Sequence, residues 1–420
     1  MTSYHIERNT KYDRQIRLWA QDGQSRLENT HVCLINANPA GAETLKNLVL
    51  PGVGSFTIVD DAVVSADDLS GNFFLEQKHL GEGIASSMAE CLQELNPDVK
   101  GAHIDSSLED LLVHSEVWGK FSIVVISGHV RAESLQKLTN ILWDRNIPLL
   151  VVVNTGFYAS LAVLARETTV VETHDPSKTY DLRIDCPWPE LSDYSSAFDL
   201  LQLDDTEHAH VPYIVIFIQA LEKWRTDHGG YLPQNYAEKR EFRSGYIEKM
   251  ARNINVETNF IEASRSVHRA LQVTRIPNSI QDLLSRSEIS DQYLGPETPE
   301  FWLYVRALKS FVHKNGGKLP LPGNIPDMAS TTTNYVQLQN IYRNKADADK
   351  HSFIAELVKV YQNAGRDVAD ICPESVSAFC KNAAFLLLPM GRSLYISNHS
   401  FNNFMHTMGS MEEGKKHPEI

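Results

Sequence analysis

Two short runs with almost no polar residues constrain the fold of this chain most strongly. They are residues 121–126, Phe-Ser-Ile-Val-Val-Ile, and residues 148–153, Pro-Leu-Leu-Val-Val-Val. A strand buried on one face alternates apolar and polar side chains, whereas a strand buried on both faces of a parallel sheet does not alternate. Residues 135–143, between the two runs, carry a helical pattern. The runs therefore predict a parallel sheet with helices on both faces.

The preceding part of the chain shows the same organisation. An apolar run at residues 31–36 is followed by a helical pattern that stops at Pro51 and Gly52, and a second apolar run covers residues 55–59. A strand, a helix and a strand within about 30 residues are typical of a βαβ unit. Residues 1–172 are therefore predicted to form a doubly wound, Rossmann-like α/β domain.

The character of the sequence changes after this domain. Residues 185–189, Asp-Cys-Pro-Trp-Pro, interrupt any regular element, and from Val211 onward most patterns are helical. Residues 173–394 are therefore predicted to form a large, mainly helical inserted domain. Residues 395–420 are polar and rich in Asn, His, Met and Lys, and they are predicted to form a tail.

Composition disfavours several classes of function. The net charge is −14, from 39 basic and 53 acidic residues, which disfavours nucleic acid and anionic membranes as partners. The longest apolar stretch, residues 211–220, is too short for a membrane span. The five cysteines include no CxxC pair, which predicts a reducing compartment and a cytoplasmic or nuclear location. The histidines of the tail lack regular ligand spacing, so no metal site is expected.

The turn after the first predicted strand lacks the glycines of a phosphate-binding loop. The template G-x-G-x-x-G lets the backbone approach a phosphate and direct its N–H groups at it. Residues 36–41 are Asn-Ala-Asn-Pro-Ala-Gly, so Asn36 and Asn38 replace the first two glycines and only Gly41, at the helix-packing position, matches. Pro39 has no backbone N–H group. A degenerate structural turn is predicted, with Asp60 as either a remnant ribose ligand or a cap of the turn.

Several segments together carry a resemblance to a known family. They are residues 12–19 (YDRQIRLW), 45–52 (LKNLVLPG), 54–60 (GSFTIVD), 71–75 (GNFFL) and 92–97 (LQELNP). In order and spacing they resemble the ThiF-type activating enzymes of ubiquitin-like modifiers, which adenylate the C-terminus of the modifier. The resemblance implies an adenylation-like domain over residues 1–172.

The second half of the chain narrows this resemblance. The segments are residues 181–185 (DLRID), 188–191 (WPEL), 325–328 (IPDM), 338–342 (LQNIY) and 391–394 (GRSL). They resemble the regulatory subunits of the heterodimeric enzymes that activate the modifier in cullin neddylation. By this resemblance, residues 173–394 correspond to the half-domain that carries a catalytic cysteine in the active partner, but without that cysteine.

Residues that active members of the family use are absent from this chain. The position of an arginine lies in residues 72–75, Asn-Phe-Phe-Leu, and that of a lysine lies in residues 81–84, Gly-Glu-Gly-Ile. The position of a magnesium-binding aspartate lies in residues 127–129, Ser-Gly-His. The resemblance therefore implies an inactive domain with no catalytic residue and no cofactor bound in cis, because a triphosphate needs cations and oriented donors.

The resemblance also implies partners. Mg-ATP would be bound by a catalytic activating-enzyme subunit, which would form a heterodimer with this chain. The complex would engage a ubiquitin-like modifier and, through it, a conjugating enzyme of the neddylation pathway. Arg14 matches an arginine that reaches the ATP of the opposite half in related enzymes, and a guanidinium suits phosphate contact. A surface or interface salt bridge is the alternative role of Arg14.

A stripe in residues 326–342 is the candidate partner interface. Tyrosine and aliphatic side chains recur there near helical spacing, which suits either a partner or an internal core face. The interface candidates are Pro326, Asp327, Met328, Tyr335, Leu338, Gln339, Ile341 and Tyr342.

The end of the chain departs from the resemblance. In the regulatory subunits a last segment completes the first domain, whereas here the similarity stops near Leu394, so a shortened C-terminus and a less stable heterodimer are expected. Three alternative functions remain at this point. They are a nicotinamide-dependent Rossmann oxidoreductase, a self-sufficient adenylating enzyme of the sulfur-carrier type, and the regulatory subunit for the SUMO modifier.

Overall fold

The computed structural model describes residues 8–172 and 180–391. The chain forms two compact units. The first unit contains the described residues of Met1–Thr168 and Leu388–Ile420, and the second contains those of Thr169–Leu387. The predicted tail, residues 395–420, lies outside the described residues.

The first unit is built on one six-stranded sheet. The strands are β1 His31–Ile35, β2 Ser55–Val59, β3 Lys100–Ile104, β4 Ile123–Ser127, β5 Leu149–Thr155 and β6 Tyr158–Leu164. Their order across the sheet is β3-β2-β1-β4-β5-β6. All neighbours are parallel except β5 and β6, which form an antiparallel hairpin. This order confirms the predicted doubly wound α/β fold.

Helices cover both faces of the central strands. The α-helices of this unit are α1 Asp13–Glu28, α2 Pro39–Val49, α3 Ala66–Gly71, α4 Ile84–Glu94, α5 Leu108–Leu111 and α6 Ala132–Asp144, with 3₁₀ turns at Gln77–His79 and Ser115–Lys120. One apolar cluster joins β1 and β2 to α2 and α4. The cluster on the opposite face joins β1, β4 and β5 to α5 and α6. The two clusters explain why β4 has no polar alternation, since both of its faces are buried.

The second unit is helical. Its α-helices are α7 Pro189–Ser196, α8 Asp205–His208, α9 Tyr213–Asp227, α10 Tyr236–Glu241, α11 Thr258–Arg265, α12 Val267–Ala270, α13 Asn278–Leu284, α14 Glu300–Lys314, α15 Thr332–Asn363 and α16 Pro373–Lys381. A π-helix at Phe242–Ile247 and 3₁₀ turns at Glu248–Met250, Ser287–Ile289, Asp291–Tyr293 and Val368–Asp370 complete it. The core forms around α9, whose first nine residues bury all but one side chain.

The predicted partner stripe is largely an internal core face of this unit. Leu338 and Tyr342 are completely buried, and Ile341 and Met328 pack against the same cluster. The hydroxyl of Tyr342 donates to the carbonyl of Leu182 at 2.7 Å. Leu338 and Tyr342 therefore cannot contact a partner, and the interface prediction is wrong for them because helical spacing alone does not distinguish a core face from a docking face.

The other members of the predicted stripe keep some exposure. Tyr335 is half-buried, and its hydroxyl lies 3.3 Å from Oδ1 of Asp327, which is exposed. Pro326 and Gln339 are also half-buried. For these four residues a contact with a partner remains a prediction.

Candidate functional site

The candidate site lies where the carboxyl ends of β1 and β4 meet. These neighbouring parallel strands are followed by connections that run to different sides, since β1 also pairs with β2 and β4 also pairs with β5. In open α/β sheets ligands bind in the crevice at this point, with phosphates at the start of the following helix. Here the crevice is bounded by residues 36–41 after β1 and by residues 127–129 after β4.

The start of α2 is capped by the protein itself. Asn38 is the N-cap residue, and its Oδ1 accepts a hydrogen bond from the backbone N–H of Gly41 at 2.9 Å. Pro39 occupies the first helical position, where it has no N–H group to offer. The donor that a phosphate oxygen would use at Gly41 is therefore already engaged by a side chain.

The first half of the turn is held by Asp60 at the end of β2. Its Oδ2 accepts from the N–H of Ala37 at 2.7 Å, and its Oδ1 accepts from the N–H of Ala62 at 2.9 Å. Both carboxylate oxygens thus bond to the backbone, as expected of a turn cap, whereas a ribose-binding acid would offer an oxygen to its ligand. This arrangement disfavours the nicotinamide-dependent oxidoreductase.

Asn36 lets the chain leave β1 without a glycine. Its φ is +67°, a left-handed conformation that asparagine tolerates better than most other residues. Its backbone N–H donates to the carbonyl of Val59 at 3.0 Å. The geometry of the loop is therefore kept while a side chain occupies space that a glycine would leave to a ligand.

Gly41 is required by packing. A β-carbon at this position would lie 2.9 Å from the carbonyl oxygen of Asn36 and 3.1 Å from the Leu34 side chain. Such distances are shorter than ordinary van der Waals contact. The one surviving glycine of the template therefore serves the close approach of α2 to β1, as its position in the template predicts.

The opposite wall of the crevice contacts the same asparagine. The hydroxyl of Ser127, a residue only 1% exposed, donates to Asn38 Oδ1 at 2.6 Å. Gly128 follows with φ +88°, and a β-carbon there would lie 2.9 Å from Asn38 Nδ2. The two walls thus bond to each other at the position where related folds hold a phosphate.

The residues of this crevice do not fit Mg-ATP. Ser127 lies in the segment where the resemblance places a metal-binding aspartate, and its hydroxyl donates to Asn38. Asn72, in the segment where an arginine is expected, is buried and its Oδ1 accepts from the N–H of Phe74 at 3.1 Å. No group of three metal-ligating side chains occurs within residues 8–172 and 180–391. The two segments where the resemblance places an arginine and a metal-binding aspartate thus present the neutral side chains of Asn72 and Ser127.

Arg14 lies on the exposed surface of α1. No ion pair or hydrogen bond joins its guanidinium to another described residue. Arg17, one turn later, is instead paired with Asp13 at 3.1 Å. The salt-bridge alternative therefore has no partner for Arg14 in the described part of this chain, and a contact with an ATP held by another subunit remains a prediction.

One face of the β5–β6 hairpin is apolar, and the described residues leave the β6 part of it uncovered. Leu150 pairs with Val163 and Val152 pairs with Leu161, and cross-strand partners share a face. Leu161 is 62% exposed and Val163 is 58% exposed. Next to them the hairpin turn exposes Phe157 and Tyr158. A contiguous exposed apolar face on an edge strand is typical of an interaction surface.

Burial opposes thiol reactivity at three of the five cysteines. Cys33 and Cys380 are buried, and burial raises the pKa of the Cys33 thiol and raises that of Cys380 to about 12. Burial also raises the pKa of the half-buried Cys91. Since the thiolate is the nucleophile, these shifts oppose reactivity at neutral pH.

No helix of the described residues is both long enough and apolar enough to cross a membrane.

Comparison with known proteins adds independent information. A family model described as "ThiF family" matches residues 12–197. The NEDD8-activating enzyme E1 regulatory subunit of Xenopus laevis is 40% identical over 395 residues, which cover 93% of this chain and 74% of that protein. The protein of the same description from Gallus gallus is 40% identical over 390 residues, which cover 91% of this chain and 72% of that protein.

A more distant relative has the same description. The NEDD8-activating enzyme E1 regulatory subunit of Saccharomyces cerevisiae is 30% identical over 372 residues, which cover 86% of this chain and 77% of that protein. The similarity thus extends across both units of the fold.

Proposed function

Because the chain belongs to the family of NEDD8-activating enzyme E1 regulatory subunits, we propose that it is the non-catalytic half of a heterodimeric activating enzyme. In this role it pairs with a catalytic subunit that binds Mg-ATP, adenylates the modifier NEDD8 and transfers it to its own cysteine. The chain itself binds no nucleotide and positions its partner. We place this complex in the cytoplasm or the nucleus, and it delivers the modifier to a conjugating enzyme.

The observation that carries this proposal is the self-capped turn after β1. Asn38 accepts hydrogen bonds from the N–H of Gly41 and from the hydroxyl of Ser127, so the crevice is bonded to itself where a nucleotide would enter. Opening it would break both bonds, and residues 36–41 carry no positively charged side chain that could offset this loss by binding a phosphate. The geometry therefore supports a scaffold role for this chain better than adenylation at its own crevice.

The uncovered face of the β5–β6 hairpin supports the pairing. Leu161 and Val163 expose aliphatic side chains in the middle of an edge strand, where burial by a second subunit would be favourable. We expect a Leu161→Glu/Val163→Glu variant to fold as the native chain does but to bind the catalytic subunit at least about tenfold more weakly, because two charges would enter an apolar interface.

The experiment is a titration of the purified chain with a recombinant catalytic subunit of a relative, followed by calorimetry. The control is Val113→Glu, since Val113 is 79% exposed in the same unit but lies far along the chain from the hairpin. Native-like affinity of the double variant would refute this placement of the interface. Absence of any complex between the native chain and the catalytic subunit would refute the proposed function itself.

Arg14 is the residue that we assign to ATP contact in trans. It carries an exposed guanidinium without a partner among the described residues, and a guanidinium can bind phosphate oxygens in a bidentate manner. We expect Arg14→Ala to raise the KM for ATP of the assembled pair, while Arg17→Ala, which removes only an exposed pair with Asp13, leaves it unchanged. Equal KM values for the native and Arg14→Ala complexes would exclude the contact.

A further inference from the structure

The helix α1 is kinked in its middle. Its backbone is helical except at Trp19, with φ −123° and ψ 16°, and at Ala20, with φ +60° and ψ 178°. The conformation of Ala20 lies in a region that is essentially restricted to glycine, so the surrounding structure must enforce it. The kink gives the first segment of α1, residues 13–18, a direction of its own.

One face of this first segment carries a cation next to an apolar side chain. Arg14 and Leu18 are four positions apart, and residues with this spacing are neighbours on the same face of a helix. Both residues are exposed, and Leu18 keeps 67% of its surface accessible. No ion pair or hydrogen bond within the described chain engages the Arg14 guanidinium. The face therefore presents an unpaired positive charge beside an uncovered aliphatic group.

The opposite side of the first segment is fixed to the α/β unit. Tyr12, the N-cap residue of α1, is only 4% exposed, and its hydroxyl accepts from Nδ2 of Asn96 at 3.0 Å. The preceding residue, Lys11, pairs with Asp98 at 2.6 Å. The segment is thus held at its start, and its outward face has a defined position.

Trp19, which follows Leu18, is fixed by a buried hydrogen bond. Its Nε1 donates to Oε1 of Gln24 at 3.1 Å, and Gln24 is completely buried. Nδ2-type freedom is absent at Gln24, because its Nε2 donates to the carbonyl of Pro51 at 2.9 Å. The Trp19 side chain also packs on Gly23, where a β-carbon would lie 2.8 Å from Cδ1. Trp19 nevertheless remains 38% exposed, so the accessible part of its ring is held in one place.

These features together are those of an interface anchor. Tryptophan and arginine are enriched among the side chains that dominate binding at protein interfaces. A side chain that is already held in place loses little conformational entropy when a partner covers it. The unpaired guanidinium of Arg14 adds a requirement for an anionic group next to an apolar surface. A catalytic subunit that holds Mg-ATP would supply that anionic group through the phosphates.

We propose that Leu18 and Trp19 form an anchor that seats the first segment of α1 on the catalytic subunit, and that Leu18 is a positioning residue for Arg14. This inference rests on the pairing and on the ATP contact proposed above, and it adds a contact outside the β5–β6 hairpin. Covering Leu18 restricts the neighbouring Arg14 side chain, so the guanidinium loses less conformational entropy when it binds the phosphates.

The test is a double-mutant cycle on the assembled pair, with a recombinant catalytic subunit of a relative in excess. The variants are Leu18→Ala, Arg14→Ala and the two combined, and ATP–pyrophosphate exchange in the presence of the modifier gives kcat and the KM for ATP. Leu18→Met is the conservative variant, because methionine is apolar, similar in size and a good helix former. The matched control is Leu201→Ala, since Leu201 is 89% exposed and lies in the helical unit.

We expect Leu18→Ala to raise the KM for ATP at least about threefold and to keep kcat within about twofold, because only the placement of Arg14 changes. The combined variant should stay within about twofold of the KM of Arg14→Ala, since Leu18 acts through Arg14. Leu18→Met and Leu201→Ala should match the native pair. The urea midpoint of the free chain should not change in Leu18→Ala, whereas a merely structural role would lower it.

Several results would overturn the proposal. They are a native KM in Leu18→Ala, independent and multiplying effects of the two substitutions, failure of Leu18→Met to restore the native KM, and an equal change in Leu201→Ala. If Arg14→Ala raises KM but Leu18→Ala does not, this proposal alone fails. If Arg14→Ala leaves KM unchanged, the contact with ATP fails and the positioning role fails with it. If the native chain forms no complex, the proposed function itself is refuted.

Discussion

Replacing Asn38 with alanine should remove two hydrogen bonds at once from the turn after β1. Loss of the N-cap oxygen leaves the N–H of Gly41 without its partner, which costs about 1 kcal/mol in typical helices. The hydroxyl of Ser127, in a residue 1% exposed, also loses its acceptor, and a buried orphaned group costs about 1 to 3 kcal/mol. We therefore expect a loss of about 2 to 4 kcal/mol in the free energy of unfolding.

The control for this variant is Asn47→Ala in the same helix. Asn47 is exposed, and its Nδ2 bonds only to the carbonyl of Glu43, one turn earlier. Its replacement should change the free energy of unfolding by no more than about 0.5 kcal/mol. Comparing the two variants separates the loss of the N-cap of α2 from the general effect of replacing an asparagine with alanine.

Two readouts are needed because the chain forms two units. Urea denaturation followed by circular dichroism gives the free energy by linear extrapolation. Hydrogen exchange of the α2 amides reports the same loss locally, which matters if the two units unfold separately. If Asn38→Ala were as stable as Asn47→Ala and α2 kept its protection, the self-capped turn would not be a stabilising element.

Three further outcomes follow from single contacts. Gly128→Ala should cost about 1 to 3 kcal/mol in urea unfolding, since φ is +88° there, and an unchanged midpoint would refute this. Tyr342→Phe should cost about 1 to 3 kcal/mol by the same assay because the carbonyl of Leu182 loses its donor, and a neutral effect would contradict the interior position of this side chain. The hydrogen bond from Arg306 lowers the pKa of the Asp291 carboxyl group. The ionised Asp291 therefore stabilises the fold fully above about pH 3.9, and this stabilisation is lost as the pH falls through the lowered pKa. The stability difference between the native chain and Asp291→Asn should therefore shrink on acidification, and a constant difference from pH 7 to pH 3 would oppose it.

The sequence predicted the centre of the sheet but not its edges. The strands β4 and β5 could be recognised because burial on both faces leaves an uninterrupted apolar run. The strand β3, Lys-Gly-Ala-His-Ile, has no such pattern because it lies at one edge and is largely exposed. The strand β6 was missed because its Ala and Ser residues weaken the apolar signal next to a tight turn.

The sequence predicted which residues of a phosphate-binding loop are missing from the candidate site, but not which contacts replace them. The missing glycines and the proline are visible in residues 36–41. Their effect could be predicted because glycine allows close backbone approach and proline has no backbone N–H group. The bond between Asn38 and Ser127 joins residues 89 positions apart, and no local pattern encodes it. The same limit applies to Tyr342, whose position in the core depends on packing with distant segments.

ATP–pyrophosphate exchange by the isolated chain, in the presence of the modifier and magnesium, tests the central claim most directly. A turn closed by Asn38, Asp60 and Ser127 predicts no exchange above the rate without protein, and exchange that appears only when a catalytic subunit is added. Saturable, ATP-dependent exchange by this chain alone would contradict the account.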